Sequence, residues 1–197
     1  MIVILWENVG KPGKQILSTP FFCGSHSAKL DEKNRFVLPQ SLRYQLVENG
    51  ELEFAIALSM GGCLAIYRKS QIEEIVEKFK KKRHIAKFQK FFTLFFSTLV
   101  HTTCDKVGRV TLPTVLKNGV GIENEIIIAG SLDKIELWPK KAYEEDLASF
   151  IGGAKKGELK SMMEEAFELL ADDHPKESEE EKLEKAIEKV QQKAELV

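Results

Sequence analysis

Few side chains in this chain stand where they could do covalent chemistry. The four histidines, His26, His84, His101 and His174, show no zinc-type spacing to one another or to Cys23, Cys63 and Cys104. His101, Cys104 and Asp105 form the one cluster that resembles a base beside a nucleophile, yet on a strand positions 101 and 104 point to opposite faces. The sequence has no P-loop, Gly-rich dinucleotide turn or serine nucleophile elbow. The expectation is therefore a protein that is not an enzyme, with no metal, cofactor or small-molecule substrate. What remains is binding chemistry in a repeated turn, Asp31-x-x-x-Arg35 and Asp105-x-x-x-Arg109. An arginine offers five N–H donors in a planar fork, which suits a phosphate or the O6/N7 edge of guanine. Lys33 and Lys106 sit in the same turns, and Arg43 follows the first, so all five cations are candidate contacts to double-stranded DNA. Asp31 and Asp105 are expected to brace the turns, since a carboxylate facing phosphate is repelled. The bland alternative is that each Asp–Arg pair only braces its own turn. Arg35 is expected to matter more than Arg109, because its turn carries Lys33 and precedes Arg43.

The elements that must hold these turns come from a duplication. The segment Asp31-Glu-Lys-Asn-Arg35-Phe-Val-Leu38-Pro39-Gln-Ser-Leu42-Arg43 recurs, displaced by 74 residues, as Asp105-Lys-Val-Gly-Arg109-Val-Thr-Leu112-Pro113-Thr-Val-Leu116-Lys117. Five of the thirteen positions are identical, against roughly one expected from composition. Leu64-Ala-Ile66-Tyr67 and Ile135-Glu-Leu137-Trp138 continue the echo. Alternating apolar positions in Phe36–Leu38 and Val110–Leu112 predict short strands. Gly108, and Asn34 in its place, tolerate the left-handed backbone that a tight turn needs. Pro39 and Pro113 fit the first position of a helix, where a missing N–H costs nothing. Leu52–Leu58, Cys63–Tyr67, Glu125–Ala129 and Ile135–Trp138 read as further strands. Ser70-Gln-Ile-Glu73 resembles a capping box opening a helix whose apolar face is Ile72, Ile75, Val76 and Phe79. A helix around Lys140–Phe150 follows copy two. Phe88, Phe91, Phe92 and Phe95 have helical spacing and read as packing residues.

These elements predict a mainly β chain with short α-helices, an α+β fold made of two tandem repeats. Residues 1–20 read as a loose arm, 21–84 as the first repeat, 85–151 as the second with its connecting helix, and 152–197 as an acidic helical tail. Net charge is -1, but residues 158–197 hold 13 acidic and 6 basic side chains. The rest of the chain is therefore basic, a usual build for a protein that meets nucleic acid. Lys78-Phe-Lys80-Lys81-Lys82-Arg83 closes a helix, where cations suit the negative end of the dipole. Three separated cysteines and no signal-like start point to reduced thiols in the cytoplasm. Phe91–Val100 is too short an apolar run to span a bilayer, so no membrane association is expected.

Three motifs in order are similar to those of the MraZ family. Phe22-Cys-Gly24-Ser-His26-x-x-x-Leu30-Asp31-x-Lys33-x-Arg35-x-x-Leu38-Pro39 resembles the family's opening. Phe95-Phe-Ser97 leading to Asp105-x-x-Gly108-Arg109-Val-x-Leu112-Pro113 resembles its second half, and Ile126-Ile-Ile-Ala-Gly130 with Ile135-Glu-Leu137-Trp138 its closing strands. The resemblance runs from about Phe22 to Phe150. It implies an AbrB-like swapped-hairpin barrel in which both copies come from one chain. It also implies ring-like homo-oligomers that bind repeated sites upstream of the division and cell-wall gene cluster, with the Asp-x-x-x-Arg turns as the DNA-contacting surface. That function places the protein at the nucleoid. Asn34 departs from the family's usual glycine, and the arm and tail have no counterpart in the pattern. A protein-interaction scaffold, or an antitoxin-like one using the same fold, is the alternative from another class.

Overall fold

The computed structural model describes residues 21–172; the arm at 1–20 and the end of the tail, 173–197, lie outside the described residues. The first copy runs β1 (Ser25–Lys29), β2 (Arg35–Val37), α1 (Gln40–Tyr44), β3 (Phe54–Leu58), β4 (Leu64–Arg68) and α2 (Lys69–Lys82). A single 3-10 turn, Ala86–Phe88, leads into α3 (Gln89–Thr98). The second copy repeats the order as β5 (Val100–Thr102), β6 (Arg109–Thr111), α4 (Thr114–Gly119), β7 (Glu125–Ser131), β8 (Lys134–Pro139) and α5 (Lys140–Gly152). A further helix, α6 (Lys156–Asp172), follows. The chain divides into two compact units, the first ending at Tyr143 and the second beginning at Glu144.

The fold is mixed α+β with antiparallel strands. Six of them form one sheet in the order β1-β7-β8-β4-β3-β5, and β2 and β6 form a separate two-stranded ribbon. Pairing runs between the copies as much as within them. The hairpins β3–β4 and β7–β8 meet at β4 and β8, with Ile66 opposite Ile135. The first copy's β1 lies on the second copy's β7, and the second copy's β5 lies on the first copy's β3. No ladder joins β1 to β5, so the sheet is open and the expected closed barrel is not formed by backbone pairing. The physical reason lies in β2 and β6, which pair with each other rather than bridging the two sheet edges.

The burial pattern explains why these residues make these strands. Phe36 and Val110 point inward from β2 and β6 and are buried, as are Leu38 and Leu112, then Leu42 and Leu116 one helical turn on. All six join a single core with Phe22, Phe54, Ile56, Leu64, Ile66, Ile126, Ile128, Ile135 and Leu137. Both faces of β3 are covered: Phe54 and Ile56 face that core, while Ala55 and Ala57 pack with Ile72 of α2 and Phe95 of α3. This is why β3 reads as a continuous apolar run and not as an alternation. Truncating any one of the core leucines to alanine costs about 2–5 kcal/mol by the usual cavity rule. Gly130 is required by close approach, since a Cβ there would lie 2.3 Å from the backbone nitrogen of Cys23.

Two expectations about helix starts shift. Pro39 and Pro113 are N-caps and not first-turn residues; their carbonyls accept the N–H groups of Arg43 and Lys117, each at 2.9 Å. The box at Ser70–Glu73 is not made, because α2 starts two residues earlier than that frame requires, with Arg68 and not Ser70 as its N-cap. Instead the Arg68 N–H donates to Gln71 Oε1 at 3.1 Å, and Glu48, from the loop before β3, accepts from the Ser70 N–H at 3.0 Å and from its hydroxyl. A carboxylate at a helix N-terminus satisfies free donors and complements the dipole. Phe79 of α2 collects the expected phenylalanines: its ring lies 5.5 Å from Phe91 and Phe92 and 5.8 Å from Phe95.

In the second unit, the chain turns after α5 with the N–H groups of Gly153 and Lys155 both donating to the Ser149 carbonyl, at 3.1 and 3.2 Å. The helix α6 that follows carries Leu159, Met162, Ala166 and Leu170 on one side, as their spacing predicts. Among the described residues no helix is long and apolar enough to cross a membrane.

Candidate nucleic-acid interface

The two Asp-x-x-x-Arg turns share one pattern of backbone and carboxylate hydrogen bonds. In the first, the Asp31 carbonyl accepts the Asn34 N–H at 2.9 Å and the Asp31 N–H reaches the Arg35 carbonyl at 2.9 Å. Oδ1 of Asp31 then accepts from the backbone of Lys33 and Arg35, at 2.9 and 2.8 Å. In the second turn the Asp105 carbonyl accepts the Gly108 N–H at 2.8 Å, the Asp105 N–H reaches Arg109 at 3.0 Å, and Oδ1 accepts from Val107 and Arg109, both at 2.9 Å. This arrangement needs a left-handed fourth residue, and φ is +54° at Asn34 and +88° at Gly108. Asparagine is among the few side-chain-bearing residues that adopt that conformation at small cost.

The other carboxylate oxygen holds the arginine. Oδ2 of Asp31 lies 2.8 Å from Nε and 2.7 Å from Nη2 of Arg35, and Oδ2 of Asp105 lies 2.6 Å from Nε of Arg109. These contacts lower both carboxyls to about 2. For Asp31 the Arg35 guanidinium is the main cause, whereas for Asp105 it is the backbone N–H of Arg109, with the guanidinium second. The Arg35 guanidinium is raised in turn, chiefly by its bond to Asp31 and in small part by the charge of Asp105 in the other turn.

The ribbon brings the turns together. Arg35 stands opposite Thr111, and Val37 opposite Arg109. Because Phe36 and Val110 point into the core, the alternation of a strand puts Arg35, Val37, Arg109 and Thr111 on the outer face. The two arginines are then diagonal neighbours, roughly 7–8 Å apart at the backbone. Each turn is also tied to the opposite copy: the Leu38 N–H donates to the Gly108 carbonyl and the Leu112 N–H to the Asn34 carbonyl, both at 2.9 Å.

Arg43 is the residue whose placement the sequence does not reveal. Its side chain leaves α1 of the first copy and lies over Gly108 of the second turn, where a Cβ would fall 1.6 Å from Nη1. Lys33 and Lys106 stay in their turns, exposed to solvent. The ribbon thus gathers Arg35, Arg109 and Arg43, flanked by the two lysines. Missed by sequence reasoning were Thr111 and Thr114; Thr111 shares the outer face, and Thr114 Oγ1 accepts from Asn34 Nδ2 at 3.4 Å. Their signal was the repeat itself, which aligns Thr111 with Val37 and Thr114 with Gln40.

The other chemical candidates end elsewhere. Burial pushes the Cys104 thiol up to about 11, so it is protonated at neutral pH, while His101 is exposed on the edge strand β5. Cys63 is raised to about 11 for the same reason. Among the described residues no group of three or more His, Cys, Asp or Glu side chains gathers to hold a metal.

Set beside known families, the chain matches one model twice in tandem. The model is that of the MraZ protein, described as antitoxin-like, and it matches residues 21–94 and 95–152.

Proposed function

Since the chain belongs to the MraZ family, we propose that it is a sequence-specific DNA-binding regulator of transcription that works as a ring-like homo-oligomer. The observation that carries this reading is the outer face of the β2–β6 ribbon, on which one arginine from each copy stands beside the other. A two-stranded ribbon is narrow enough to enter the major groove of B-form DNA. There Arg35 and Arg109 read a guanine edge or hold phosphates with the N–H groups that face away from the aspartates. Arg43, Lys33 and Lys106 add phosphate contacts around them. Asp31 and Asp105 do not touch DNA; each fixes the direction of its arginine.

On the same reading, the exchange of β1 and β5 between copies is the swapped-hairpin arrangement, with the domains divided at about 84 and 151. The protein acts in the cytoplasm at the nucleoid, on repeated sites upstream of division and cell-wall genes, and is not an enzyme. Ring formation multiplies weak turn contacts along repeated sites through effective concentration. The test is fluorescence anisotropy on a duplex from just upstream of the protein's own gene and on a scrambled duplex, across a salt series. Binding that favours the first duplex and weakens steeply with salt supports the reading; no binding to either overturns it. Light scattering showing a monomer at micromolar concentration would remove the ring.

A further inference from the structure

The second unit exposes an apolar surface that nothing in the described residues covers. A groove of about 820 Å³ runs along α6, from Phe150 and Ile151 at the end of α5 past Leu159 and Met163 to Phe167. Ile151 and Phe167 are 61% and 65% exposed, and Met162, Met163, Leu169 and Leu170 are also exposed. In the groove's flank four charged residues follow at i,i+4 spacing: Lys156 and Lys160 in the first half, then Glu164 and Glu168.

That order is self-complementary. When two helices pair antiparallel, the same flank of each faces its counterpart running the other way. Lys156 then meets Glu168 of the other helix and Lys160 meets Glu164, with a two-fold axis near Met162. The two helix dipoles also oppose each other favourably. A parallel pair would instead set this flank against the opposite one, which carries Glu158 and Glu165, leaving Glu164 and Glu168 without cations. The Lys160–Glu164 pair within the helix, at 3.6 Å with both side chains well exposed, is a surface contact of small strength and does not prevent the exchange. We infer that the α6 groove is a docking site for α6 of a second copy of this chain, packed antiparallel about Met162. The contact is isologous, the same patch serving both partners, and is separate from the DNA-reading ribbon.

The test is disulfide trapping on the full chain without DNA, so it does not depend on the regulatory reading. In a Cys23→Ser background, which removes the exposed native thiol, cysteine is introduced as Met163→Cys or as Leu170→Cys. Antiparallel packing puts the two 163 positions beside the axis, within disulfide reach. It holds the two 170 positions about 24 Å apart at 1.5 Å per residue. Mild oxidation is expected to give a cross-linked dimer on a non-reducing gel with Met163→Cys and none with Leu170→Cys. Adding Lys156→Glu and Lys160→Glu to the first variant should abolish the dimer, and adding Glu164→Lys and Glu168→Lys to the same chain should restore it. Equal cross-linking at both positions, no cross-link at 163, or a yield indifferent to the charge changes would overturn the proposal. So would a dimer that forms only when the chain is cut after Asp172, because residues 173–197 would then be the groove's occupant.

Discussion

The first and second turns share a backbone, a bracing carboxylate and an arginine, and they differ in what lies around them. In the first, Arg35 commits both Nε and Nη2 to Asp31, and the left-handed residue is Asn34, which points its amide at Thr114. In the second, Arg109 is bonded through Nε at 2.6 Å, its side chain is 39% exposed against 27% for Arg35, and Arg43 lies across Gly108. Charge follows the same division. Glu32 and Lys33 offset each other in the first turn, while Lys106 and Val107 take their places in the second. Duplication kept the brace and two cations in each turn but left Glu32 without a counterpart, so the second turn is the more basic, and its arginine is the more exposed. The expectation that Arg35 outweighs Arg109 leaned on Arg43 as a neighbour of the first turn, and that neighbour belongs to the second.

The largest effect that could break this contrast is on DNA affinity. Arg109→Ala is expected to weaken binding to the specific duplex by roughly 5- to 150-fold, with Arg35→Ala at the lower end of that range. Fluorescence anisotropy over a salt series separates the two contributions, since a lost guanine contact relaxes preference at one base whereas a lost phosphate contact lowers the salt slope by about one unit. A larger loss from Arg35→Ala would mean that the less exposed arginine is the better-aimed one. Wild-type binding by both variants, with circular dichroism unchanged, would reduce the turns to structural braces.

Exchanging the left-handed residues sharpens the comparison. Gly108→Asn keeps a residue that tolerates the turn, but its Cβ would occupy the place of the Arg43 guanidinium. A stability cost of about 1–2 kcal/mol and weaker DNA binding are expected, because Arg43 must leave. Asn34→Gly is expected to change stability by less than about 1 kcal/mol, since it removes only the long bond to Thr114. Urea unfolding of both variants measures this; equal costs would show that Arg43 does not rest on Gly108 in solution.

A smaller effect separates the carboxylates by pH. Both are lowered from 3.8 to about 2. The stabilisation they confer is therefore complete above about pH 4 and is lost as pH falls through the folded value near 2. Carbon-detected NMR should find both ionised at pH 3. Arg35→Ala should raise the Asp31 value more than Arg109→Ala raises that of Asp105, because the guanidinium dominates the first and the backbone N–H, which alanine retains, dominates the second. The smallest effect expected is from ending the chain after Gly153: folding and DNA binding should persist, with affinity slightly higher once the acidic tail is gone. An insoluble product would show that the turns depend on the second unit.

Much of the first unit is legible from residues alone, for local reasons. The Asp-x-x-x-Arg turn is encoded within five residues, because a short carboxylate can reach the N–H groups two and four positions on. Leu38, Leu42, Leu112 and Leu116 announce their burial through spacing. The strands around Ile56, Ile66, Ile128 and Ile135 follow from apolar runs, and the 74-residue echo identifies two copies of one unit. Each of these depends on neighbours along the chain, so pattern suffices.

Tertiary structure decided whatever depends on which copy touches which. That β1 joins β7 and β5 joins β3, and that the sheet remains open while β2 and β6 pair apart, is not written in any one segment, because the partner of each of these strands lies in the other copy. Ser70 meets Glu48 and not Glu73, because a carboxylate from a packed loop reaches the helix start that the local frame misses by two residues. Arg43 crosses to Gly108 because the position without a side chain is the one with room for a guanidinium, and the copy that has it is 65 residues away in the chain. A sequence records the residue types that can make such contacts; the choice among them falls to packing, where the space left by one copy determines what the other can fill.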